Sequence, residues 1–229
     1  MITQFIMLTT VYLLFWLSFN FLKRGEKIKN QSVKVFAAGL FLIAIAIIIY
    51  SLRDIFIQFG LYNIQEKLLI SGGLLHIFGS YFLLWFVSRE FGPKSYFKYI
   101  FYILFFLVLA SFALFISGKV FKLESEIKQA PLEPLSYLVV RNYISDPTGI
   151  VLLYGIIILI SILILGIILL NSFKTKERKV KIKGLLYGLG TWFLIAPMII
   201  CALVSPVFAR IGYLAGAFFL YKALNIKIE

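Results

Sequence analysis

The sequence predicts an all-α polytopic membrane protein of seven transmembrane helices, and three observations predict it. The 229 residues are 62% hydrophobic and only 14% charged, with a mean hydropathy of +0.98, well above the roughly 45–50% apolar share of a soluble domain. Seven apolar stretches approach the length of about 20 residues that a spanning helix needs, at residues 2–22, 35–52, 68–88, 99–117, 150–170, 184–204 and 207–224. The charges between them alternate in character from one connection to the next. So little chain is left over that no soluble catalytic domain of about 50 residues fits, and residues 1–229 form a single transmembrane domain.

Charge sets the orientation. With the amino terminus outside, the inner connections and the carboxyl end collect 16 of the 23 basic residues but only Glu26, Glu90, Glu177 and Glu229 of the acids. This is the positive-inside pattern, which places the amino terminus out and the carboxyl terminus in the cytoplasm, as for a multi-pass protein of the cell membrane. The net charge of +13 therefore predicts attraction to anionic lipids at a basic inner face, and no nucleic-acid partner. The first apolar stretch lacks a basic residue before it and has Lys23 and Arg24 after it, so it reads as a retained helix and not as a cleaved signal. A single cysteine, Cys201, allows no disulfide within the chain.

Taken in order, the first helix carries Ser18 and Asn20 near its inner end, with Asn20 expected to meet headgroups. The second is almost saturated with Ala, Ile, Phe and Leu until Tyr50, Ser51, Arg53 and Asp54. Residues 55–67 are too apolar for a plain loop, and are expected to extend the helix or to lie along the interface. The third holds the only histidine, and Gly72, His76 and Ser80 at four-residue spacing form one stripe. An ionisable group at mid-span faces the bundle interior and marks a candidate site. The fourth helix is Phe-rich and reads as peripheral.

The longest polar stretch, Gly118 to Gly149, lies on the outer side, where β-formers on either side of Pro131 and Pro134 suit a small extracytoplasmic hairpin or an interfacial cap. Its length suits a lid over the bundle. Asp146 and Pro147 then open the fifth helix, and Ser205 and Pro206 open the seventh by the same cap-then-proline device.

The sixth and seventh helices are the most informative. Gly184 with Gly188 and Gly212 with Gly216 repeat at four-residue spacing, which predicts close helix packing. Arg210 lies about one turn inside the seventh helix, where a charge costs a few kcal/mol unless something offsets it, and Asp54 is the nearest acid by topology. A faint likeness lays Gly79 to Leu83 over Gly216 to Leu220, which sets His76 opposite Tyr213 and suggests a parallel repeat of three helices, a linker helix and three helices. The ligand-binding or coupling candidates are therefore His76, Ser80, Tyr213, Arg210 and Asp54.

Catalytic patterns are missing. No paired intramembrane carboxylates, no nucleophile with a base, no phosphate-cradling loop and no zinc spacing occur. The sequence predicts no enzyme, no cofactor and no metal. A retinal-binding lysine in mid-span of the seventh helix, as in microbial rhodopsins, is absent too; Tyr213, Gly216 and Phe218 occupy that zone and Lys222 lies at the inner end.

The basic inner loop followed by Gly184, Leu185, Leu186, Tyr187 and Gly188, and then Gly212, Tyr213, Leu214, Gly216, Tyr221 and Lys222, resembles the seven-helix membrane sensor region of archaeal and bacterial histidine kinases. The resemblance covers about a quarter of the chain. It implies a receptor-like protein sensing a small molecule or lipid. No kinase segment lies within residues 1–229, so it also implies output through a separate membrane or cytoplasmic partner protein. Small sugar transporters with a three-plus-one-plus-three plan are similar in layout, but Pro197 is followed by Met198 where their Pro-Gln signature would stand. That layout keeps a proton-linked transporter as the alternative, and the glycine-lined faces keep a structural subunit of a membrane complex as another.

Overall fold

The computed structural model describes residues 2–91, 97–116, 123–129, 138–144, 155–197 and 206–226. Seven helices and one two-stranded hairpin make up the described chain: α1 (Ile2–Lys27), α2 (Gln31–Gln58), α3 (Tyr62–Phe91), α4 (Phe97–Ile116), β1 (Leu123–Gln129), β2 (Leu138–Ile144), α5 (Ile156–Lys174), α6 (Arg178–Ile195) and α7 (Pro206–Asn225). Three segments, Gln4–Lys27, Gln31–Gln58 and Lys67–Phe91, are long and apolar enough to cross a membrane, and Ile156–Asn171 is a shorter apolar helix.

The first three helices run longer than their apolar cores. Helix α1 ends where Lys29 takes a left-handed φ of 51°, letting Asn30 N–H reach the Gly25 carbonyl at 2.9 Å. Asn30 then caps α2, its Oδ1 accepting from the backbone N–H of Ser32 at 2.8 Å. Helix α2 continues to Gln58 and stops in the same manner. Gly60 has φ +73°, Gly60 N–H donates to the Ile57 carbonyl and Leu61 N–H to that of Phe56. These are the two bonds of a Schellman cap, and only a left-handed residue closes it cheaply. The apolar stretch after residue 54 is thus the end of α2, a tight turn and the start of α3, and not a segment lying along the interface.

The sixth helix starts earlier than expected, at Arg178 within the basic loop, and is described to Ile195, where Ala196 N–H donates to the Trp192 carbonyl at 2.8 Å. Residues 198–205, into which the expected helix over 184–204 would run, lie outside the described residues. Helix α7 starts on Pro206, and Ser205, Asp146 and Pro147 are not among the described residues.

The hairpin expected between the fourth and fifth helices forms, with β1 and β2 antiparallel and Leu123 opposite Ile144. Strand β2 lies against α2.

Helix α2 is the centre of the amino-terminal half. It packs on α1 and on α3, while α6 takes the equivalent place between α5 and α7; across the halves, α1 meets α7 and α3 meets α5. Helix α4 touches chiefly α3 and leaves Tyr102, Ile103 and Phe106 more than half exposed, which is the peripheral position expected of it. The α2·α3 crossing is close enough that a Cβ on Gly79 would come within 2.9 Å of the Gly39 carbonyl oxygen. Asn20 bonds back to its own helix at the Trp16 carbonyl and stays exposed, whereas Ser18 Oγ donates across to the Ala37 carbonyl at 2.8 Å.

Candidate functional site

The site is built where α2, α3, α6 and α7 converge. Arg210 stands on α7 one turn after Pro206 and is buried, with 5% of its surface exposed. Its Nη2 pairs with Asp54 Oδ2 of α2. Asp54 also faces Arg53 Nη1 at 3.8 Å, and Arg53 Nε donates to the buried Gln65 Oε1 at 3.3 Å. The end of α2 and the start of α3 thus hold a polar cluster into which α7 inserts its guanidinium. A paired charge avoids most of the cost of an isolated one in low dielectric.

One turn further along α7, Tyr213 meets His76 of α3. The Tyr213 hydroxyl and His76 Nδ1 are 3.5 Å apart and the ring centroids 5.6 Å. On the other side of the imidazole stands Tyr50, with ring centroids 6.4 Å apart. Tyr50 fits there because Gly72 has no side chain; a Cβ on Gly72 would lie 2.6 Å from Tyr50 Cε1. His76 and Ser80 are fully buried, and neither His76 Nε2 nor Ser80 Oγ has a hydrogen-bond partner among the described residues.

Of the five residues singled out from sequence, the structure joins Asp54 with Arg210 and His76 with Tyr213, and Ser80 stands one turn from His76 on α3. Tyr50, Arg53 and Gln65 complete the group. No periodicity marks them, because they sit at a helix end where several polar residues crowd together; the small Gly72 facing Tyr50 shows only in three dimensions.

The glycines expected to pack closely meet different neighbours. Gly216 does sit at the closest approach of α6 and α7, but its partner is Gly190, whose carbonyl oxygen would be 2.9 Å from a Cβ there. Gly188 instead receives Ile168 of α5, Gly212 receives the Pro197 ring, and Gly184 has only ordinary contacts, the nearest being Asn171 Nδ2 at 3.5 Å. Spacing of four places residues on one helix face but leaves open which neighbour that face meets.

Among the described residues no three His, Cys, Asp or Glu side chains converge as metal ligands. No protein-family model and no curated protein matches this chain.

Proposed function

We propose that this chain is a receptor-like, multi-pass protein of the cell membrane that binds a small polar ligand at His76, Ser80 and Tyr213. Its seven helices span the bilayer with the amino terminus out. The observation that carries this reading is the pair of fully buried polar groups, His76 Nε2 and Ser80 Oγ, which lack hydrogen-bond partners among the described residues, with the Tyr213 hydroxyl near His76. Each such group costs about 1–3 kcal/mol unless something supplies its hydrogen bond, and a bound ligand supplies it. Ligand that shifts α7 against α3 also reaches the Asp54–Arg210 pair, since Arg210 and Tyr213 lie on one face of α7. The signal then passes to a separate partner protein at the basic inner face, which anionic lipids hold at the membrane surface.

The second reading is a small transporter, favoured by the packing of α1 on α7 and of α3 on α5, which sets two three-helix halves face to face around the same residues.

The test is thermal unfolding of the detergent-purified protein against a panel of uncharged hydroxylated and amide compounds, such as polyols, monosaccharides and small amides. At least one compound is expected to raise the midpoint in the wild type, and His76→Ala or Ser80→Ala to abolish the rise. A panel without effect, or a rise that survives both substitutions, overturns the site.

A further inference from the structure

We infer that the basic end of the bundle holds a defined site for a lipid headgroup carrying a phosphomonoester, formed by Arg24 of α1, Lys34 of α2 and Lys183 of α6 beside an aromatic cluster. The site lies apart from His76 and Tyr213 and does not depend on the reading of those residues as a ligand site.

The aromatic cluster brings the three cations together. Phe21 packs on Phe36 with ring centroids 4.9 Å apart and on Tyr187 with centroids 6.0 Å apart, so it stands between α2 and α6. Residues three and four positions apart on a helix are neighbours on its surface, and the turn after Phe21 offers Arg24 and Gly25. On α6, Lys183 stands four positions before Tyr187 and shares its face. Arg24 thus comes up to Lys183 and to the Tyr187 phenol, close enough to act electrostatically on both. Gly25 is the notch beside it. A Cβ there would lie 2.9 Å from Lys34 Cγ, so the stem of Lys34 packs on α1 next to Arg24.

Positive charges gathered in this way call for an anion. Arg24 is exposed, and Lys34 and Lys183 are half-buried. The acids described at this end, Glu26, Glu90 and Glu177, are exposed, and among the described residues no ion pair joins them to Arg24, Lys34 or Lys183. Lys183 gives one donor to the Ile226 carbonyl at 2.8 Å. An ammonium has three donors, so two remain for a ligand. Partial burial, and then Arg24, lower the Lys183 pKa, as positive charges crowded together do.

The depth of the site selects a lipid. Lys23 lies over the Phe19 ring at 4.6 Å and Lys222 over the Phe218 ring at 5.4 Å, and both rings are exposed. A lysine folded over an exposed ring marks the membrane interface, where the stem follows apolar surface and the head meets water. Arg24 adjoins Lys23, so the three cations stand at headgroup depth. Three positive charges match the charge of about −1.5 to −2 on a phosphomonoester better than the single charge of a diester. A headgroup held there ties α1, α2 and α6 together, and α7 with them through the Lys183 bond to Ile226. Diffuse attraction differs, because every basic residue near the surface then contributes alike.

The experiment titrates dioctanoyl phosphatidic acid, dioctanoyl phosphatidylglycerol and inorganic phosphate into the detergent-purified protein, with the thermal unfolding midpoint as readout. Phosphatidic acid is expected to raise the midpoint saturably, at concentrations about fivefold or more below those of phosphatidylglycerol. Arg24→Gln, Lys34→Gln and Lys183→Gln should each raise the concentration required by about fivefold. Lys29→Gln and Lys181→Gln, at exposed positions of the same end, should leave it unchanged. Arg24→Lys keeps the charge and should keep the response, which separates a lost charge from a lost fold. Equal responses to the two lipids, or equal losses in all five glutamine variants, reduce the site to diffuse attraction and overturn it. Inorganic phosphate acting at the same concentration as phosphatidic acid overturns the lipid as the occupant.

Discussion

Arg210 on α7 is paired with Asp54 on α2 across 156 positions of the chain, at the one place where both helices reach the polar end of α3. Breaking such a pair by removing one partner leaves a buried charge uncompensated, at a cost of about 3–5 kcal/mol when burial is deep. Asp54 retains 15% side-chain exposure, so Asp54→Ala and Arg210→Ala are each expected at the lower end of that range. The double variant should lose much less than the sum. Denaturant unfolding in detergent measures the coupling, and strictly additive losses would show that the pair is not coupled.

His76 and Tyr213 touch across α3 and α7. Exchanging them, His76→Tyr with Tyr213→His, should therefore keep the contact, whereas His76→Tyr alone sets two bulky phenols against each other. The exchanged protein is expected to recover at least half of the stability lost by that single variant, read as a double-mutant cycle.

The glycines separate into two kinds. Gly79→Ala and Gly216→Ala press a methyl against a backbone oxygen that cannot rotate away, and should each cost about 1–3 kcal/mol. Gly166 has nothing within 4 Å of a Cβ, so Gly166→Ala should gain up to about 1 kcal/mol from helix propensity. Equal effects at the two kinds of position, in thermal or denaturant unfolding, would contradict the close crossings.

Ser18→Ala removes a hydrogen bond between α1 and α2, and is expected to cost about 0.6 kcal/mol and at most about 1.7. Asn20→Ala removes a bond within α1 at an exposed position and should fall within about 0.5 kcal/mol of the parent. The difference between the two variants is the measurement.

Lys183, in the first turns of α6, donates from Nζ to the Ile226 carbonyl at 2.8 Å. Partial burial, and then the nearby Arg24, lower its pKa below the usual 10.5. A lowered lysine pKa means that the unfolded chain binds more protons in the alkaline window. Stability therefore rises as pH climbs from the folded pKa towards 10.5. Lys183→Gln keeps a donor for Ile226 and should flatten that alkaline rise. An unchanged slope of stability against pH between 9 and 11 would remove Lys183 as its source.

Much of this was legible in the residues. Pro206 marks the start of α7 because it acts through its own backbone, whatever surrounds it, whereas the turn at Gly60 was not read from the residues. Asp54 was nameable as the partner of Arg210 because few acids lie at that level of the chain. Gly39, Gly190 and Tyr50 were not nameable, since nearly every face of α2 and α6 is apolar and no stripe tells which side turns inward.

The sequence by itself determined a strongly apolar helical chain, the proline that opens its last helix and the handful of polar residues that hydrocarbon does not tolerate alone. Those are local properties, decided by one residue and its immediate neighbours. Only the tertiary structure decided that Gly79 meets Gly39, that Gly216 meets Gly190, and that His76 meets Tyr213. Rotation of one apolar helix against another is set by how small and large side chains interlock along the whole contact, and that fit exists only once both helices are in place.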